Sequence, residues 1–186
     1  MSKATQPITD KETLTAVMQS IATHENPKVK IFAALALNTG LRVSDIIKLE
    51  WTQINFSERI IELQETKTKK RNIIAINTRL FNLLLDYRKA TPNNVYILQT
   101  EKNSNGETKH VTRSFISQEL AKIGNTHNIQ LSPHTFRKTF ARSLVDLGTP
   151  LYVVSDILNH SSERMTRIYI GITSQDKARA FELLTF

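Results

Sequence analysis

Three short β-prone runs sit close together in the first half of the chain: "WTQINF" (51–56), "RIIELQ" (59–64) and "NIIAIN" (72–77). Their tight separations point to an antiparallel meander. What surrounds them is helical in period. Residues 8–23 and 26–38 read as helices, the second carrying Ile31, Phe32, Leu35 and Ala36 before a stop at Gly40. A short helix over 43–49 holds Val43, Ile46 and Ile47, and helix returns at 78–89. "VYIL" (95–98) is a candidate further strand, and the polar "TEKNSNGETKH" (100–110), with its Asn105-Gly106 turn signal, reads as an exposed hairpin or loop. From about 112 onward the pattern is helical to the end. This order predicts an α+β class, mostly helical with a small antiparallel three-stranded sheet. No break in composition marks a linker, so residues 1–186 read as one domain.

Composition narrows the partner and the chemistry. A net charge of +8 points to a polyanion such as nucleic acid or an acidic membrane surface. The longest aliphatic run, "IFAALAL" (31–37), is too short to span a bilayer, and the polar start "MSKATQPITDKE" is no secretory signal. The absence of cysteine rules out disulfides and thiolate metal sites and fits a reducing cytoplasm. The five glycines form no phosphate-binding loop of either common type. A nucleotide cofactor therefore has no visible seat, and the five histidines are scattered, so a zinc centre has none either.

One stretch combines helix-start signals with cationic chemistry. In "LSPHTFRKTFARSL" (131–144), Ser132 is a good N-cap and Pro133 suits the first helical position. Phe136, Phe140, Leu144 and Leu147 recur at helical spacing as the expected buried stripe. His134 and Arg137, three apart, are neighbours on the first turn, where free N–H groups and the helix dipole favour an anion. An isolated His-x-x-Arg is more often a capped surface helix with a solvated arginine. Three other stretches also have ordinary explanations when taken singly. "TGLRVSDIIKLEW" (39–51) puts Arg42 just after a glycine turn, and "TKTKKRNIIAI" (66–76) sets Lys67, Lys69, Lys70 and Arg71 in a basic turn before a strand. "DILNH" (156–160) and "TRIYIGI" (166–172) place His160 after a helix end and Tyr169 nine residues later, where a tyrosine often packs at a core edge.

Taken together and in this order, these phrases resemble the tyrosine recombinase (phage integrase) family, over residues 8–184. The resemblance implies the family's catalytic domain, acting on double-stranded DNA at specific recombination sites. It implies that Arg42 and Arg137 hold the scissile phosphate and that Tyr169 attacks it to form a 3′-phosphotyrosine link. Lys67 would protonate the departing 5′ oxygen, with Lys69 as the alternative within "TKTKKR". His134 would assist proton transfer near the tyrosine, and His160 would donate a hydrogen bond to the phosphate. Asp45 stands where relatives carry an acid and is expected to brace the site. No metal, ATP or other cofactor is implied. Self-association to a tetramer on DNA, a cytoplasmic location at the nucleoid, and service to a phage or mobile element are further implications.

Two departures stand out. The chain has no room for the amino-terminal helical domain of most relatives, so it is either a fragment or similar to short stand-alone members such as the fimbrial phase-switch recombinases. "LNH" (158–160) replaces the more usual "LGH". Competing functions are a type IB topoisomerase, which shares the chemistry but usually carries lysine at the place of His134, and a DNA-binding regulator without catalysis. The tail, "ITSQDKARAFELLTF" (172–186), has capping signals at Thr173, Ser174 and Asp176 and a narrow apolar edge of Ala178, Phe181 and Leu184. Periodicity alone favours its packing on the protein's own core; the resemblance implies that residues 173–186 dock onto a neighbouring protomer.

Overall fold

The computed structural model describes residues 5–100, 106–172, 174, 178, 181 and 182. It is mostly helical with one small antiparallel sheet. Helix α1 (Lys11–Ala22) starts where Asp10 accepts the Thr13 N–H at 2.7 Å, three residues later than the hydrophobic period alone suggests. Helix α2 (Pro27–Thr39) begins on an Asn26 cap and ends at Gly40, which takes φ +63°. Its Val29, Ile31, Phe32, Ala33, Leu35 and Ala36 are buried, so it is surrounded by other elements rather than lying on the surface. A single turn, α3 (Val43–Ile46), follows with Arg42 at its N-cap and ends short of residue 49.

The sheet departs from expectation in its first strand. Residues 51–53 form a 3₁₀ turn, because the Gln53 side chain accepts the Glu50 N–H at 2.9 Å and the buried Trp51 ring packs against Phe56 and Tyr87. Only Ile54–Asn55 remain as strand β1; β2 (Ile60–Gln64) and β3 (Arg71–Ala75) complete the order β1-β2-β3. Register pairs Ile61 with Ile74 and Gln64 with Arg71. Along β2, Ile61 and Leu63 face the core while Glu62 and Gln64 face out. "VYIL" is not a strand: Tyr96 makes one bridge to Glu50, and the neighbouring Gln99 makes one to His110. Residues 101–105 of the expected loop lie outside the described residues, and Thr100 donates to the Lys109 carbonyl at 2.8 Å across it.

Helices α4 (Thr78–Ala90), α5 (Arg113–Thr126), α6 (Pro133–Asp146), α7 (Leu151–Ile157) and α8 (Glu163–Ile170) follow. The main core gathers α1, α2, α4, α5 and the sheet, and Phe136 of α6 belongs to it. A second cluster joins Ala141 of α6 to Val154, Leu158 and Ile170, with Phe140, Leu144 and Tyr169 against it. Helix α6 therefore links two cores. Leu147 leaves the expected stripe: it caps the helix and is 83% exposed, because α6 stops at Asp146. Most of the tail, including Leu184, lies outside the described residues; Phe181, which is described, is 74% exposed. Among the described residues no helix is long and apolar enough to cross a membrane.

Candidate active site

Arg137 projects from α6 between the contributions of that helix to the two cores, and it is 4% exposed. One guanidinium nitrogen donates to the Gly40 carbonyl at the end of α2, the other to the Leu158 carbonyl at 2.7 Å beyond α7. Two turns are thereby tied to α6 through one side chain, which keeps donors for Tyr169 and a ligand. Arg137 is thus not the solvated surface arginine of the ordinary reading. Ser132 caps α6 by accepting the Thr135 N–H, and Thr135 accepts the Ser132 N–H in return at 3.0 Å. His134 stands exposed on that first turn. Partial desolvation, then the charges of Arg113, Arg137, Lys138 and Arg42, lower its pKa below the usual histidine value.

Tyr169 enters from α8. Its hydroxyl is buried and faces the Arg137 guanidinium, a polar contact looser than a strictly formed hydrogen bond. Burial pushes the phenol pKa up, and the Arg137 and Arg42 charges oppose that shift. The His160 ring meets the tyrosine edge-on at 5.1 Å between centroids, and the Lys138 ammonium sits 5.2 Å from the centre of the tyrosine ring. His160 shares a 2.8 Å hydrogen bond between Nδ1 and the Thr166 hydroxyl. Burial, then Arg137 and Arg42, lower the His160 pKa to about 4, so the ring is neutral at neutral pH.

Arg42 is bound to Glu65, whose side chain is 1% exposed. Glu65 also accepts from Thr68 Oγ1 at 2.9 Å, Asn72 Nδ2 at 3.0 Å and Asn159 Nδ2 at 2.6 Å. Burial alone would raise the Glu65 pKa; these donors outweigh it and hold the carboxyl below its ordinary value. Asp45, 3% exposed, accepts the Thr66 N–H at 2.8 Å, directly before Lys67; its other oxygen is buried without a hydrogen bond. Lys67 is exposed in the β2–β3 turn and makes no hydrogen bond or ion pair among the described residues. Lys69 closes that turn with φ +58° and donates its N–H to the Glu65 carbonyl at 2.9 Å.

The structure thus draws Arg42, Arg137, His160 and Tyr169 into one neighbourhood, with His134 at its electrostatic edge and Lys67 on a separate turn. Sequence reasoning missed Glu65, Asn159, Thr166 and Lys138. Lys138 follows Arg137 in the chain, and Glu65 continues the inward phase of Ile61 and Leu63, which was the available signal. No group of three or more His, Asp or Glu among the described residues could hold a metal ion.

Residues 8–176 match the phage integrase family. The chain belongs to that family. The tyrosine recombinase XerA of Pyrococcus horikoshii is 25% identical to this integrase-family chain over 166 residues, 89% of this chain and 58% of XerA. The probable integrase/recombinase YoeC of Bacillus subtilis is 27% identical over 175 residues, 94% of this chain and 93% of YoeC. A crystal structure of XerA recombinase superposes with a TM-score of 0.80 at 18% identity, over 100% of this chain and 66% of that one. A lambda integrase (75–356) dimer bound to a COC′ core site gives 0.71 at 16% identity, over 96% and 62%. The integrase-family chain thus spans little more than half the length of the Pyrococcus relative, and the structural likeness establishes the α+β fold.

Proposed function

We propose that this chain is a tyrosine-type site-specific DNA recombinase, its residues 1–186 forming one catalytic domain that cuts and rejoins DNA through a 3′-phosphotyrosine intermediate. The observation that carries this reading is the Tyr169 hydroxyl, buried facing the Arg137 guanidinium and against the His160 ring. A buried hydroxyl with no strictly formed hydrogen bond is costly to hold and calls for an explanation, which a nucleophile's role supplies. Two arginines supply the charge that a pentacoordinate phosphate needs, Arg42 and Arg137 reaching its non-bridging oxygens. Tyr169 Oη attacks phosphorus, and its proton passes toward His134, whose lowered pKa keeps the ring neutral and able to accept it. The P–O5′ bond breaks and the 5′ oxygen takes a proton from Lys67. The 2.8 Å bond between Nδ1 and the Thr166 hydroxyl orients the His160 ring; in the tautomer whose Nδ1 accepts from that hydroxyl, the ring proton lies on Nε2, free for a phosphate oxygen. The phosphotyrosine stores the bond energy, so rejoining to another strand's 5′ hydroxyl reverses the same steps without ATP or metal.

Double-stranded DNA is the partner, assembly to a tetramer on DNA brings the strands together, and a phage or other mobile element in a bacterial or archaeal cytoplasm is the setting. The relatives named above are recombinases and integrases, and nothing in them favours a topoisomerase or a non-catalytic regulator. The test is a pool of nicked duplexes with a randomised core, incubated with the protein and denatured. Wild type is expected to yield a denaturation-resistant adduct that survives EDTA, and Tyr169→Phe none, with DNA affinity within about threefold of wild type. Strand transfer to a second duplex separates recombination from simple relaxation. No adduct from wild type on any core would overturn the proposal.

A further inference from the structure

Glu65 gathers donors from three separated parts of the chain. Arg42 lies at the start of α3, Thr68 lies in the β2–β3 turn that carries Lys67 and Asn72 in β3 just after it, and Asn159 immediately precedes His160. Asn159 sits at φ +50°, a left-handed conformation that glycine adopts most easily and asparagine tolerates. A glycine there would have no side chain, whereas the Asn159 amide reaches Glu65 across 94 positions of sequence.

We infer that Glu65 and Asn159 form a positioning latch that locks the Arg42 guanidinium, the Lys67 turn and the His160 turn in one register. Both Glu65 carboxyl oxygens are taken by protein donors, Arg42 and Thr68 on one and Asn72 and Asn159 on the other. The carboxylate acts through Arg42, by fixing one edge of the guanidinium and leaving the rest to a ligand. It acts on the Lys67 turn through Thr68 and Asn72, and on the His160 turn through Asn159. A buried carboxylate with four donors on it is rigid, because freeing any one donor leaves polar groups unpaired in a dry setting. Placement of catalytic groups to within a fraction of an ångström governs the rate more than the affinity. The latch is therefore a determinant of the cleavage step.

The inference rests on the recombinase reading, so the experiment keeps the two apart. Single-turnover adduct formation and DNA affinity are measured side by side for wild type, Asn159→Gly, Asn159→Asp, Glu65→Gln and the Asn159→Gly/Glu65→Gln pair. Asn159→Gly suits the backbone, so its thermal stability should hold while cleavage slows about tenfold at an affinity within about twofold of wild type. Asn159→Asp sets a second carboxylate against Glu65, so its cleavage defect should deepen as pH rises from about 5 to about 8 relative to wild type. The double variant should be no slower than Glu65→Gln alone, since both remove one device. If wild type forms adduct and Asn159→Gly matches its rate, or if the two defects multiply, the latch is wrong. If wild type forms none, the recombinase reading fails first.

Discussion

His160 lies half-buried in the turn between α7 and α8, with burial and the Arg137 and Arg42 charges holding its pKa down to about 4. An unfolded histidine titrates near about 6.5, so on acidification the unfolded chain takes up the proton first. The folded state is then fully favoured above that value and loses stability as pH falls toward 4. The melting temperature should therefore drop between about pH 7 and pH 5. His160→Asn retains a group that can pair with Thr166 and cannot ionise, and it should lose less over that interval. His134 is shifted in the same direction, which leaves a residual loss in the variant; equal losses in both proteins would contradict the account. Lys67 offers a second residue-scale prediction. Lys67→Ala should block cleavage of ordinary DNA and recover on a 5′-bridging phosphorothiolate, whose sulfur leaves without an acid. Rescue after Lys69→Ala instead would move the acid two residues along, although Lys69 already has its backbone committed to closing the turn. Arg42, Arg137, His160 and Tyr169 were legible because each has a recognisable neighbourhood in the sequence. Glu65 was not, because beside "TKTKK" a glutamate reads as a solvated partner of exposed lysines, and its partners Arg42 and Asn159 are brought near only by the folded chain.

Helix boundaries and the sheet show where local sequence was enough. The caps at Asp10, Asn26, Asn77, Thr112, Ser132 and Ser162 each accept a backbone N–H of the first turn, and the helices begin where those signals lie. "WTQINF" keeps only Ile54–Asn55 as strand and "VYIL" only a single bridge for one reason: β-prone residues mark burial, and the buried Trp51 and Ile97 pair through just two backbone hydrogen bonds, Trp51 N–H to the Val95 carbonyl and Ile97 N–H to the Leu49 carbonyl. Gly40 tests the element that carries Arg42. It takes φ +63°, and a Cβ there would lie 2.4 Å from Phe140 Cδ1. Gly40→Ala should cost roughly 2–5 kcal/mol in denaturant unfolding, the left-handed strain and overpacking together. Gly148, at φ +87° with open space around it, is the control, and Gly148→Ala should cost only about 1–2 kcal/mol. Equal costs would mean that the contact with Phe140 is unimportant.

At the scale of the whole molecule, the two hydrophobic clusters differ greatly in depth. The larger one holds α2 and the sheet, while the second rests on Ala141, Val154, Leu158 and Ile170, with Tyr152, Met165 and Ile168 exposed around it. Amide hydrogens of α7 and α8 should therefore exchange faster than those of α2, and equal protection would contradict the two-core description. Such a division places Tyr169 on the less stable part and Arg42 on the more stable part. The net charge of +8 adds a phosphate term to DNA affinity, which should fall steeply with the logarithm of salt concentration; a flat response would exclude a backbone-dominated interface. The most direct test of the central claim is to trim the trapped protein–DNA adduct with nuclease and locate the attached nucleotide by peptide mass spectrometry. The account predicts a 3′-linked nucleotide on Tyr169 in the peptide "TRIYIGI". Attachment at any other residue would contradict it.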